Sequence, residues 1–245
     1  MRMTTRSDGG ISKPMPTLST IDVLRSGQWF QTLPAEVQRR VIAGGTQRTL
    51  NTSRTLFSQG ANASGLHAVI MGELHVAGTN VDGNEVIMAI VRPGEWTGFL
   101  ACLDRGPHAY SAVAVVETKI FSLSPTSVAA IFETDIATYR LLQAPELSAV
   151  RKLSHFVIED MGLPLVQRVA ARLADLGRWA YGPASGPVAA LDNVSQEELA
   201  MSVHASRQKI NMILRDLSRQ GLIELGYGQI RVIDSAALDR FAREK

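Results

Sequence analysis

Thiols are nearly absent from this 245-residue chain, whose one cysteine is Cys102. One thiol closes no intrachain disulfide, and it supplies neither an iron–sulfur cluster nor an all-cysteine zinc site. Long apolar runs are also missing. No stretch approaches the roughly 18 consecutive apolar residues that a membrane-spanning helix needs. The first seventeen or so residues are polar, rich in Gly, Ser, Thr and Pro, and lack the apolar centre of a signal peptide. The expectation is a soluble cytoplasmic protein in a reducing compartment, with no membrane partner and a loose tail over 1–20. Charge of one sign is scarce too. Lys+Arg is 25 against 23 Asp+Glu, a net of +2. So mild a balance argues for no nucleic acid partner by itself, so any DNA surface has to be local.

What is present suits two globular domains. The apolar fraction is 45% and the charged fraction 20%, enough to build real cores. Residues 21–43 carry short helical patterns, and Leu33-Pro34-Ala35-Glu36 reads as a helix start with Pro in its first turn. From 44 to 123 the period changes. Short apolar runs at 55–57, 66–71, 74–77, 85–91, 110–116 and 119–123 alternate with turn residues such as Gly72, Asp82-Gly83, Pro93-Gly94 and Gly98. Many short strands at such spacing predict an antiparallel barrel or sandwich.

Ser124-Pro125 opens a second helical region that runs to Met161, with a kink or restart expected at Pro145. Beyond Pro145, the residues Leu147, Val150, Ser154, Val157 and Met161 are spaced 3, 4, 3 and 4 apart, a coiled-coil-like seam. Such a stripe packs either on its own barrel or on a second copy of the chain. Gly162-Leu163-Pro164 ends the helix and marks a domain boundary. The order then expected is a helix over 165–180, a loop, a short strand near 188–191, helices over 195–202 and 206–220, a hairpin over 222–233 and a charged tail helix over 236–244. That is the order of a winged helix. The fold class is α+β, divided as a barrel over 21–123, a helical region over 124–163, a winged domain over 164–237 and a tail over 238–245.

Ser195-Gln196-Glu197-Glu198 is a capping box, and Leu199, Ala200 and Val203 give the helix it opens an inner face. His204-Ala205 makes a tight connection to a second helix capped by Ser206. Ile210, Ile213, Leu214 and Leu217 form that helix's inner face, while Arg207, Gln208, Lys209, Asn211, Arg215 and Arg219 lie outside. A helix-turn-helix has this spacing, with the N-terminal turn of its second helix in the major groove. Arg bonds guanine, and Gln or Asn bonds adenine, through paired hydrogen bonds. Lys209 and Arg215 are assigned to phosphates, which position without specifying.

The phrase Ser206-Arg207-Gln208-Lys209-Ile210-Asn211, with Ile213-Leu214-Arg215-Asp216-Leu217 and Gly221-Leu222-Ile223, resembles the recognition helix and wing of Crp/Fnr-type regulators. Three stretches extend the resemblance toward the N-terminus: Arg54 to Gly60, Leu66 to Gly72, and Val91-Arg-Pro-Gly-Glu-Trp-Thr-Gly98. They resemble the opening strands, the turn glycine and the approach to the phosphate-binding cassette of a cyclic-nucleotide-binding barrel. The resemblance covers roughly 21–235. It implies a homodimeric transcription factor that binds a near-palindromic double-stranded DNA site, with the seam of Leu147, Val150, Val157 and Met161 as dimer interface. RNA polymerase is a further candidate partner.

The effector cassette departs from the family pattern. Aligned on Gly98, the carboxylate that would accept from a ribose hydroxyl is replaced by Phe99. The Arg that would clamp phosphate is replaced by Tyr110, just before Ser111. The pocket is assigned to Gly98, Phe99, Leu100, Tyr110, Ser111 and Ser154. Phe99 and Tyr110 suggest an aromatic-walled space for an uncharged ligand, or one filled by the chain itself. Arg105 and His108 are placed in a solvated loop as alternative phosphate groups. Cyclic AMP binding of the usual kind is not expected, and no cofactor or metal is assigned. His67, His75, His108, His155 and His204 are scattered, with no i, i+4 pair. Some family members carry haem on one axial histidine, but nothing marks one here. Cys102 is either a small buried hydrophobe or a redox-sensing thiol. No nucleophile elbow, metal-ligand histidine pair or phosphate-loop lysine is present, so an enzyme is not expected. A sensor module without DNA binding is the remaining alternative, and the basic helix argues against it.

Overall fold

The computed structural model describes residues 19–158, 162–178, 190–192, 194–226 and 229–243. Three short helices open it: α1 (Thr20–Ser26), α2 (Gln28–Thr32) and α3 (Ala35–Gly44). Ser19 and Asp22 cap α1 reciprocally. The strands that follow are β1 (Gly45–Leu50), β2 (Thr55–Phe57), β3 (Leu66–Met71), β4 (Leu74–Thr79), β5 (Glu85–Val91) and β6 (Trp96–Thr97). Helix α4 (Phe99–Asp104) interrupts them before β7 (Ser111–Ala114) and β8 (Thr118–Leu123).

The eight strands form two four-stranded antiparallel sheets, in the orders β1-β8-β3-β6 and β2-β7-β4-β5. Period-two alternation explains why β3 is almost wholly buried. Val69 joins Ile120 in the core between the sheets, while Leu66, Ala68 and Ile70 face a second core built with the flanking helices. His67 shares the inward parity of Val69, and Ser122 that of Ile120. Gly72 turns the chain from β3 to β4 at φ +87°. A side chain there would meet Glu117 O at 2.5 Å, so only glycine fits.

Helices α5 (Pro125–Phe132) and α6 (Ile136–Ile158) differ from the expectation of one helical stretch with a restart at Pro145. The break lies at 133–135 instead, where Asp135 accepts from the amide of Thr138 at 2.9 Å and starts α6. Helix α6 continues through Pro145 without a restart. The acceptor that Pro145 cannot bond, Leu141 O, takes the indole N–H of Trp29 instead, at 2.8 Å.

The C-terminal unit comprises α7 (Leu165–Arg178), β9 (Ala190–Asp192), α8 (Gln196–Ser202), α9 (Arg207–Arg219), β10 (Ile223–Gly226), β11 (Gln229–Val232) and α10 (Ser235–Arg243). Its sheet has the order β10-β11-β9, antiparallel throughout. Helix α10 is not a tail. Leu238 and Ala242 are buried in the same core as Leu173, Leu214 and Ile230, so 238–243 belongs with the winged unit. Among the described residues, no helix is long and apolar enough to cross a membrane.

Candidate nucleic-acid interface and sensor site

The reading face is built outward from its core. Ser195 accepts from the amide of Glu198 at 3.1 Å, and Glu198 accepts from the amide of Ser195 at 2.7 Å. This reciprocal cap starts α8, whose Leu199 and Ala200 are buried. His204 turns the chain at φ +54°, and Ser206 caps α9 by accepting from the amide of Lys209. Ile210, Ile213, Leu214 and Leu217 are all buried, which fixes the rotation of α9. Arg207, Gln208, Lys209 and Arg215 are exposed as a consequence.

Two details depart from the sequence reading. Asn211 is half-buried, and its side-chain amide donates to Gln196 Oε1 at 3.0 Å. It braces α8 against α9 rather than standing free as a base reader. Met212, which the sequence reading passed over, is 61% exposed on the outer face. Arg219 is paired with Asp216 at 2.6 Å, while Arg207, Lys209 and Arg215 have no ion pair among the described residues. The wing hairpin carries a cross-strand pair, Arg231 to Glu224 at 3.3 Å, and residues at its tip lie outside the described set.

On α6, Leu147, Val150, Leu153 and Val157 are each more than half exposed. Ser154 lies among them, but its hydroxyl donates to Val150 O at 3.0 Å, within its own helix. Met161 falls outside the described residues.

The cassette residues are dispersed rather than gathered into one aromatic pocket. Gly98 precedes α4 at φ +96°, and a Cβ there would lie 2.3 Å from Gly65 O. Phe99 is 3% exposed and packs edge-on against Trp29, with ring centroids 4.8 Å apart, in the core facing the helices. Tyr110 is 36% exposed and lies over Gly78. Leu100 is exposed, and Ser111 Oγ accepts from the amide of Gln59 at 2.9 Å. The expected pairing of Phe99 and Tyr110 as two walls of one space is therefore corrected. Position 99 looks toward the helices, while the ring of Tyr110 lies against Gly78 of β4.

The two candidate basic groups also separate. Arg105 pairs with Glu133 at 2.8 Å on the surface. His108 is not solvated, as its loop position suggested. It is 4% exposed and stacks on Phe57, with ring centroids 3.8 Å apart and an interplanar angle of 8°. Its Nε2 accepts from the backbone N–H of Ser64 at 3.1 Å, and a backbone N–H can only donate. His108 is therefore neutral at Nε2. Ser64 Oγ lies 2.9 Å from both His108 Nε2 and His67 Nε2, and His67 Nδ1 lies 2.8 Å from Ser122 Oγ. One proton arrangement turns all three side-chain contacts into hydrogen bonds, with His108 Nε2 shared between the backbone N–H and the hydroxyl of Ser64. Ser122 donates to His67 Nδ1, His67 Nε2–H donates to Ser64 Oγ, and Ser64 Oγ–H donates to His108. Burial first, then the charge of Arg48, push the His67 pKa down to about 3. Burial also lowers that of His108. The barrel interior is thus lined by a neutral relay that periodicity did not reveal, because its members come from three separate segments.

Cys102 is half-buried, and burial pushes its pKa up to about 11, with the Gly65 backbone partly opposing. A protonated thiol is a poor nucleophile, which weighs against the redox reading.

Barrel and winged unit meet along β5. Ile87 and Ile90 are buried in the winged unit's core. Arg172 donates to Ile87 O, and in the opposite direction Arg92 donates to Leu176 O at 3.2 Å. Glu73 joins Arg92 at 3.5 Å and His75 at 3.2 Å, and His75 in turn lies 4.0 Å from the capping residue Glu198.

Residues 47–135 match the family model of the cyclic nucleotide-binding domain, and residues 167–241 match that of the Crp-like helix-turn-helix domain. The chain is 30% identical over 204 residues to the cyclic AMP receptor protein of Thermus thermophilus, covering 80% of this chain and 88% of that protein. It is 26% identical over 198 residues to the CRP-like cAMP-activated global transcriptional regulator of Mycobacterium tuberculosis, covering 77% and 84%. Its fold is similar to that of FixK2 from Bradyrhizobium japonicum. The TM-score is 0.66 at 21% identity, over 80% of this chain and 96% of that one.

Proposed function

The chain belongs to the Crp/Fnr family of transcriptional regulators, and from that premise we propose that it is a homodimer that reads DNA sequence through α9. The carrying observation is the exposed cationic face of α9 on a winged scaffold, with Arg207, Gln208, Lys209 and Arg215 outward and the three cations free of ion pairs among the described residues. Lys and Arg neutralise phosphates, and Arg or Gln at the first turn reads base edges. The exposed apolar stripe Leu147, Val150, Leu153 and Val157 supports dimerisation, because water disfavours such a surface on a lone helix. Two-fold symmetry then requires a near-palindromic site with half-sites about one helical turn apart. Selection of bound duplexes from random-sequence DNA tests this reading. A pool with no enriched palindrome overturns it.

The signal it answers is not a cyclic nucleotide held in the usual way. The two relatives described above carry cyclic AMP in their names. Here no carboxylate stands at Phe99 to accept from ribose, and no guanidinium stands at Tyr110 to meet phosphate. His67, Ser64, His108 and Phe57 line the interior with neutral groups. Burying a phosphate charge without a compensating cation costs several kcal/mol. Calorimetry with cyclic AMP and cyclic GMP is the direct test, and a micromolar Kd for either overturns this part of the reading.

A further inference from the structure

Met212 is the large apolar side chain on the outer face of α9, 61% exposed in the middle of a polar helix. An isolated exposed methionine is ordinary on a protein surface. Its position is what gives it meaning. The buried residues Ile210, Ile213, Leu214 and Leu217 define the inward direction of α9. At 100° per residue, Met212 points almost directly opposite. It lies four residues after Gln208 and three before Arg215, so these three form one stripe down the outermost face. Its neighbours toward α8 and toward the C-terminus are already engaged: Asn211 with Gln196, and Arg219 with Asp216. Nothing among the described residues covers the thioether.

We propose that Met212 is a specificity-determining residue that reads the C5 methyl group of a thymine in each half-site. The inference rests on α9 being the reading helix. A helix in the major groove buries its outermost stripe against base edges. Those edges are mostly hydrogen-bonding groups, and the thymine methyl is the one apolar group that projects into the groove. A thioether on a flexible unbranched chain accepts no strong hydrogen bond, so every edge but that one leaves a buried polar group facing it unpaired. A thymine methyl instead gives it an apolar partner. Gln208, one turn earlier on the same stripe, presents the amide that pairs with adenine. The stripe as a whole therefore favours A·T-containing half-sites at its centre, flanked by the contacts of the arginines.

The test uses the full-length dimer and the duplex selected from random sequence. Each thymine of one half-site is replaced singly by deoxyuridine, which removes only the methyl. Affinity is then measured for the wild type, Met212→Ala and Met212→Leu, both of which keep good helix formers at an exposed site. One thymine is expected to matter. Its replacement weakens the wild type about fourfold, the factor for one buried methyl. That penalty persists in Met212→Leu and disappears in Met212→Ala. If Met212→Ala retains the wild-type penalty at every position, or if no thymine shows one, the assignment is overturned while DNA reading by α9 stands. If no duplex is selected at all, the reading of α9 fails and takes this inference with it.

Discussion

Trp29 donates its indole N–H to the carbonyl of Leu141 across 2.8 Å, which is the acceptor left open four residues before Pro145. A helix interior normally rejects proline because one backbone bond is lost and a carbonyl is orphaned. Here a side chain from α2 supplies the missing donor, and α6 continues to Ile158. The same Trp29 packs against Phe99, Trp96 and Phe132, so the cassette helix and α6 share one aromatic anchor. Trp29→Phe is expected to destabilise the fold by about 1–3 kcal/mol, through the orphaned carbonyl and the lost ring volume. Pro145→Ala restores the backbone donor, so Trp29→Phe should destabilise the Pro145→Ala protein less than it destabilises wild type. Denaturant unfolding of the two single variants and the double variant measures that coupling. Strict additivity would show that the indole bond does not replace the proline's missing donor.

The seam on α6 makes the oligomeric state a sharp test. Replacing Val150 and Val157 together by Asp puts like charges against like at a two-fold axis, at a cost of several kcal/mol. Sedimentation should show wild-type dimer at micromolar concentration and a monomeric variant. Wild-type monomer under those conditions rejects the interface.

On the reading helix, Arg207→Ala is expected to cost about 1–3 kcal/mol of DNA affinity and relax preference at one base position per half-site. Lys209→Ala should weaken all sequences alike and lower the slope of affinity against salt by about one per lost phosphate contact. Asn211→Ala behaves differently from either. Because Asn211 bonds Gln196, its loss loosens α8 against α9, and Gln196→Ala should reproduce its effect on thermal stability. Titration of each variant into the selected duplex at several salt concentrations separates the three roles.

Why some of this was legible in the sequence, and some not, follows from the physics of particular residues. The turn-helix geometry around Ser195, Glu198 and Ser206 was readable because capping is local and the inner faces follow a 3.6 period. Strands β3 and β5 were readable as apolar runs. Strand β1, Gly-Thr-Gln-Arg-Thr-Leu, was not, because it is an edge strand paired only with β8 and most of its side chains face water. Asn211 read as a free polar side chain because its partner Gln196 lies fifteen residues away on another helix. His67 and His108 read as scattered because 41 residues of chain separate positions brought into contact through Ser64. Pro145 read as a break because its compensating donor lies 112 residues upstream of Leu141.

The histidine relay makes the barrel's stability depend on pH, with a sign that can be worked out. In the unfolded chain His67 titrates near its ordinary value of 6.5, and in the folded barrel near 3. Between those values the unfolded state holds a proton that the folded state does not. Stability therefore rises with pH through that window. The contribution is fully present above pH 6.5 and is lost progressively as pH falls toward 3. The slope is about 1.4 kcal/mol per pH unit for each such proton. His108, lowered in the same direction by burial, adds to the slope over the upper part of the window. Protonating His108 at Nε2 sets a new donor against the Ser64 backbone N–H, which can only donate, while the charge on a protonated His67 is opposed chiefly by its burial. Urea unfolding followed by tryptophan fluorescence between pH 7.5 and 5 should show this loss, since Trp29 and Trp96 lie in the core packed beside β3. His67→Gln keeps a neutral hydrogen-bonding side chain and removes one titrating group. It should lower stability at pH 7.5 yet flatten the slope by about one proton. A wild-type slope near zero across pH 5–6.5, or an unchanged slope in His67→Gln, would show that the relay is not buried and neutral in the working protein.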